Sequence, residues 1–298
     1  MWQATGKELW NWRHEMRQQT ENLGIDPREL DWFLVWVSDL DSLTLKLGLL
    51  RQLPEVSLKL SLQELARLWQ RRLDDRVPVQ YLVGQTTWRN FNLRVSPSVL
   101  IPRPETELLI DRVVEAVEAS PQPRMLRQGT WVDMGTGSGA IALGLAEAFP
   151  RASIIAVDQS TDALATAQQN AERHGMGDRI SFYQGHWFEP LGPVRDLSGM
   201  VSNPPYIPRA TLETLQPEVI HHEPTAALDG GEDGLDHIRT LARQAPEYLI
   251  SGGIWMVEMM AGQGDDVRAI LVETRQYRDV QIDADLAGLD RFALAFKR

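Results

Sequence analysis

The segment Ser202-Asn203-Pro204-Pro205-Tyr206-Ile207-Pro208 combines residue types that suit one kind of chemistry. Pro204 and Pro205 have no N–H, so this stretch offers carbonyl acceptors with few donors. Asn203 adds an acceptor oxygen and an NH2 donor, and Tyr206 a flat face. Such a pocket fits a planar –NH2 group that donates both hydrogens while its nitrogen is aimed at an electrophile. The nitrogen of an amide or arylamine is a poor nucleophile because its lone pair is delocalised. Two acceptors draw electron density towards it and hold it in line. Against a strong electrophile, positioning and electrostatics then carry most of the rate. The proton can leave after transfer, so no catalytic His or Cys is required.

A second cluster is Asp133-Met134-Gly135-Thr136-Gly137-Ser138-Gly139-Ala140-Ile141. Glycines let the chain turn tightly and let a ligand approach the backbone with no Cβ in the way. Amides of the loop and of the following helix then face an anionic group. Asp158 follows 19 residues after Gly139 and can accept hydrogen bonds from both hydroxyls of a ribose. Gly135, Gly137 and Ala140 also satisfy the loose dinucleotide fingerprint, with Asp158 at its expected spacing. NAD and S-adenosylmethionine both carry a ribose-bearing adenosine, so these residues leave the two open.

The elements that must hold these groups follow from periodicity. From about residue 130 the rhythm is strand–turn–helix. Strands are expected at 130–134, 153–157, 180–183, 199–202 and 253–258, with helices at 140–149, 163–174 and 235–249. This alternation predicts a mostly parallel sheet covered on both faces. The glycine loop and Asn203 then lie at carboxyl ends of strands, where open α/β sheets bind ligands. Segments 280–283 and 292–296, with Gly288 between, predict a terminal antiparallel hairpin. Residues 1–77 read as a small helical bundle. Leu30, Phe33, Leu34 and Val37 form one helical face. Ser61 with Glu64 is a capping box ahead of Leu62, Leu65, Trp69 and Leu73. Trp2, Trp10, Trp12, Trp32, Trp36 and Trp69 are expected to pack its core. Residues 78–101 read as a β-hairpin linker, with strands at 79–83 and 91–95, and residues 102–298 as the α/β domain. Pro104 is expected to open a new helix.

Composition limits the partners. The 298 residues carry 30 Lys+Arg and 41 Asp+Glu, a net charge of −11. Residues 1–78 hold 11 basic and 12 acidic residues, leaving 19 against 29 for the rest. This is a poor match to a nucleic-acid backbone. No run approaches the roughly 18 apolar residues of a membrane span, and the first residues do not resemble a signal peptide. With no cysteine, thiolate metal sites and cysteine nucleophiles are excluded, and a reducing cytoplasm fits. No metal is expected: His221 and His222, read as strand neighbours, point oppositely and have no ligand cluster.

Taken together, Gly135-Thr136-Gly137-Ser138-Gly139 and Asn203-Pro204-Pro205-Tyr206 resemble the S-adenosylmethionine-dependent amino-methyltransferases. Further segments narrow the likeness: Pro78-Val79-Gln80-Tyr81, Ile101-Pro102-Arg103-Pro104-Glu105-Thr106-Glu107, Gly185-His186-Trp187-Phe188-Glu189-Pro190-Leu191, Glu223-Pro224-Thr225-Ala226-Ala227-Leu228 and Asp285-Leu286-Ala287-Gly288-Leu289-Asp290-Arg291. As a set they resemble the bacterial peptide chain release factor glutamine methyltransferases, from about residue 78 to the end. The resemblance implies a Rossmann-like class I methyltransferase domain after the helical bundle. It implies methyl transfer from S-adenosyl-L-methionine to the amide nitrogen of the Gly-Gly-Gln glutamine in release factors 1 and 2. The separate, nearly neutral bundle joined by a hairpin is expected to dock that substrate.

By the same resemblance, Gly135, Thr136, Gly137, Ser138 and Gly139 would wrap the methionine end of the cofactor. Asp158 would hold the ribose, and Trp187 would lie against the cofactor. Asn203 would touch both cofactor and substrate. Asn203 and the Pro204 carbonyl would bind the substrate amide, with Pro205 and Tyr206 beside the glutamine. His186 departs from the family pattern, where an acid often precedes the Trp. The same chemistry on a ribosomal-protein glutamine is the nearest alternative. Adenine N6 methylation of DNA is a further one, opposed by the acidic charge and the lack of a basic recognition domain. Arg103 could reach an acidic group or sit at the surface. Asp229-Gly230-Gly231-Glu232-Asp233-Gly234 reads as a flexible acidic loop, placed either as a lid or in solvent.

Overall fold

The computed structural model describes residues 1–298. They form two units: residues 1–84 with 216–222, and residues 85–215 with 223–298.

In the first unit, helices Gly6–Asn22, Arg28–Val37 and Leu62–Asp74 surround one apolar core. Strand β1 (Trp2–Ala4) pairs antiparallel with β2 (Val56–Leu58), an addition to the all-helical expectation. Leu30, Phe33 and Leu34 are fully buried, as their spacing requires. The capping box is made: the Glu64 N–H donates to Ser61 Oγ at 3.2 Å, and the Ser61 N–H to Glu64 Oε2 at 2.8 Å. Only one of the six tryptophans is a full core residue. Trp69 is buried and donates to Thr20 Oγ1, whereas Trp10, Trp12 and Trp32 pack partly buried against the core and Trp2 is exposed.

Two sequence readings are corrected here. Residues Val79–Val83 form a helix, not a strand. Val79, Leu82 and Val83 fit the i, i+3, i+4 spacing as well as alternation, a short apolar run being ambiguous on periodicity alone. Val79 is buried, and Leu82 and Val83 pack against the first unit's core. Gly84, with φ +71°, ends the helix, so the boundary falls after residue 84 rather than 77. His221 and His222 lie on the helix Pro217–His222, not on a strand. That helix groups with the first unit, where the buried Arg72 pairs with both Glu29 and Glu218 at 2.7 and 2.9 Å.

The second unit opens with a hairpin of β3 (Gln85–Trp88) and β4 (Phe91–Arg94). The next helix, Glu107–Ala119, starts later than Pro104, after a turn closed by the Thr106 N–H on the Arg103 carbonyl. The strands β5 (Thr130–Met134), β6 (Ser153–Asp158), β7 (Ile180–Gln184), β8 (Leu197–Ser202), β9 (Leu249–Glu258), β10 (Tyr277–Ala284) and β11 (Asp290–Lys297) make one sheet, ordered β10-β11-β9-β8-β5-β6-β7. Strands β5 to β9 are mutually parallel, and β11 runs antiparallel to both of its neighbours, β9 and β10. Side chains alternate between two cores. Trp131, Ile154, Val201 and Met256 join helices Glu107–Ala119 and Ala140–Ala148 on one face. Val132, Ile155, Met200 and Trp255 join helices Asp236–Gln244 and Gly264–Glu273 on the other. Burial on both faces is what continuous apolar parallel strands require. No helix is long and apolar enough to cross a membrane.

Candidate active site

Register brings the predicted residues to one level. Met134 pairs with Val157 on one side and with Ser202 on the other, and Ser202 pairs with Val257. The next residues along these neighbouring strands are Gly135, Asp158, Asn203 and Glu258. Strand order reverses at β5, whose neighbours are β6 and β8, so this is the switch point at which doubly wound sheets bind ligands. Ser202 Oγ donates to the Met134 carbonyl at 2.6 Å and ties the two strand ends together.

The glycine loop is shaped for close approach. Gly135, Gly137 and Gly139 all have positive φ, and a Cβ on Gly137 would meet nothing within 4 Å. Beneath the loop, Asp133 Oδ2 accepts from Thr136 Oγ1 at 2.6 Å and from the Ala142 N–H at 3.0 Å. Complete burial pushes the Asp133 carboxyl up to about 7, against the lowering effect of the Thr136 bond. Asp158 ends β6 and accepts from the Gly137 and Ser160 amides, each at 2.9 Å. Burial raises its pKa, and these amides oppose the rise.

A cavity of about 630 Å³ opens over these strand ends, within the roughly 300–1,000 Å³ of small-molecule sites. Gly135, Thr136, Gly137, Ser138, Asp158, Trp187, Asn203 and Pro205 all line it. Gly139, Pro204 and Tyr206 do not. Gly139 turns instead towards Ala167 on the neighbouring helix, 3.1 Å from where its Cβ would stand. Trp187 sits at φ +50° with its ring against Gly135, and its indole N–H is buried without a partner. His186 lines the cavity beside it, the two rings 5.5 Å apart. An adenosine-bearing cofactor fits these residues: a Cβ-free turn faces the space, a carboxylate stands one strand away, and an indole walls it.

Asn203 is fixed by residues that sequence reasoning missed. Its Nδ2 donates to Thr106 Oγ1 at 3.2 Å. Thr106 Oγ1 donates to Glu258 Oε2 at 2.7 Å, and Tyr206 OH donates to Glu258 Oε1 at 3.2 Å. The Tyr206 ring, expected beside substrate, therefore has its hydroxyl anchored inward. Burial pushes Glu258 up to about 7, and its bonds to Thr106 and Tyr206 restrain the rise. A signal for Glu258 existed, since it closes a predicted strand at the ligand-binding edge.

The acidic loop 229–234 is held, not free. The Gly230 N–H donates to the Ile207 carbonyl at 2.8 Å, and Gln263 Nε2 donates to the carbonyls of Tyr206, Asp233 and Gly234. A Cβ on Gly234 would collide with the Tyr206 carbonyl, so the loop backs the Asn-Pro-Pro-Tyr segment directly. Arg103 is likewise engaged, its guanidinium on the buried Glu223 at 2.7 Å. His237, unremarked in the sequence, lies 5.3 Å from Trp187 and faces the Asp229 carbonyl; burial lowers its pKa.

The family profile described as methyltransferase small domain matches residues 106–233. A release factor glutamine methyltransferase from Synechocystis sp. is 49% identical over 98% of this chain and 97% of its own length. The chain belongs to the release factor glutamine methyltransferase family. A second member, from Thermosynechococcus vestitus, is 51% identical over 90% of both chains. Among solved structures, a methyltransferase from Pyrococcus furiosus shares the fold with a TM-score of 0.50 at 16% identity, over 79% of this chain and 98% of that one. The protein is thus a methyltransferase with the family's Rossmann-like domain.

Proposed function

We propose that this chain transfers a methyl group from S-adenosyl-L-methionine to the side-chain amide nitrogen of the glutamine in the Gly-Gly-Gln loop of peptide chain release factors 1 and 2, in the cytoplasm. The observation that carries this reading is the Asn203 carboxamide, with its donor end tied to Thr106 and its residue on the cavity wall. The oxygen Oδ1 is left to accept a hydrogen from the substrate amide. The Pro204 carbonyl accepts the other. Together they hold the nitrogen in line and raise its electron density. The Tyr206 ring and Pro205 flank the glutamine side chain. Residues Gly135 to Ser138, Asp158, Trp187 and Asn203 would hold the cofactor, which when bound supplies an electrophilic sulfonium methyl, with Gly139 packing the loop against Ala167. His186, on the cavity wall beside Trp187, would take the place of the family's acid towards the cofactor. The first unit docks the release factor.

The test is mass spectrometry of intact release factor after incubation with this protein and cofactor. A gain of about 14 Da, one methyl replacing one hydrogen, on the Gly-Gly-Gln peptide is expected. The same shift on a ribosomal-protein glutamine alone, or on DNA adenine, overturns the assignment.

A further inference from the structure

We propose that Thr106 and Glu258 are positioning residues which decide which end of the Asn203 carboxamide faces the substrate. This rests on the function proposed above. The argument is a count of hydrogens. An ionised carboxylate can only accept. Glu258 is 1% exposed, and both its oxygens are engaged, one by Thr106 and one by Tyr206. Thr106 has one hydroxyl hydrogen, and Glu258 takes it. Thr106 Oγ1 can then only accept from Asn203, so Asn203 must turn its NH2 inward at 3.2 Å. Its oxygen is thereby presented outward, as a donor-bearing substrate amide requires. A neutral carboxyl at 258 would reverse the chain. It would donate to Thr106, Thr106 could donate to Asn203 Oδ1, and Asn203 would meet the substrate NH2 with its own.

The network spans three elements: the turn before helix Glu107–Ala119, the end of β8 and the end of β9. It is buried, where each unmade bond is costly. The charged groups acting on Glu258 are Arg291, which favours its ionisation, and Glu105, which opposes it. Thr106 and Tyr206 complete its surroundings. Burial holds the carboxyl near 7, so the switch falls within an accessible pH range.

The experiment compares Thr106→Val, Thr106→Ser and Glu258→Gln in the full chain, using a Gly-Gly-Gln peptide as acceptor. Thr106→Val keeps the shape and removes the hydroxyl. We expect turnover to fall about tenfold or more with cofactor affinity held within about twofold, and Thr106→Ser to restore most of the loss. The unaltered protein should lose turnover as pH falls through about 7, and Glu258→Gln should be slow at every pH. In parallel, the side-chain NH2 resonance of Asn203, assigned by its loss in Asn203→Ala, should move in Thr106→Val but not in Thr106→Ser. Thr106→Val with full turnover, equal loss in both Thr106 variants, or an unmoved Asn203 resonance would each overturn the proposal. If the unaltered protein methylates neither the peptide nor intact release factor, the function fails by itself, and the resonance still decides the positioning.

Discussion

At the residue scale the proposed chemistry rests on one carboxamide held by its donor end. Asn203 stands directly after β8, and in the proposed reaction it contributes an oxygen and a fixed orientation, with no charge and no proton transfer. Its truncation should therefore affect the reacting geometry more than cofactor affinity. We expect Asn203→Ala to reduce turnover about 100-fold or more, as losing a preorganised polar contact does, while calorimetric cofactor affinity changes by less than about fivefold. Collapse of cofactor binding with normal turnover of the loaded enzyme would contradict this role. Asn203, Gly137 and Asp158 could be singled out from sequence because their types suit the proposed chemistry, and they line one cavity. Thr106 and Glu258 were not, because a Thr and a Glu acquire meaning only through what they touch. Thr106 lies 97 positions from Asn203 and 152 from Glu258.

At the scale of elements, strands and helices were largely legible because parallel strands buried on both faces read as apolar runs. The exceptions were short. Val79–Val83 fits both periods, and packing against the first unit decided for helix. The helix Pro217–His222 shows no apolar stripe, and its place follows from an ion cluster: the 3% exposed Arg72 reaches Glu29 through two bonds and Glu218 through one. Removing this buried cation leaves Glu29 without its paired contact and Glu218 with only Arg76, at 3.1 Å. Arg72→Met should cost about 3 kcal/mol of stability. Glu218→Gln leaves Arg72 its paired contact with Glu29 and should cost about 1 kcal/mol, while amides of 216–222 lose exchange protection. Urea denaturation of the full chain checks the ranking, and equal costs would refute the account.

At the scale of the whole molecule, the second unit carries the entire seven-stranded sheet and both of its cores. A fragment of residues 85–298 should keep cofactor binding and methylate a short Gly-Gly-Gln peptide at close to the full chain's rate. Against intact release factor its KM should rise about tenfold, if the first unit supplies docking contacts. An unchanged kcat/KM for the intact substrate would remove that docking role. The cut after Gly84 was not evident from sequence, since Pro78 and Gly84 both punctuate the chain and only the burial of Val79 separates them. Sequence alone determined the ligand-facing turn, the acceptor-rich segment and the alternation that makes a parallel sheet, because glycine, proline and apolar period act locally. Tertiary structure alone decided that Gly135, Asp158, Asn203 and Glu258 share one level, that Thr106 reaches two of them, and that loop 229–234 braces rather than swings. Strand register and long-range burial set those relations, and neither is encoded by spacing along the chain.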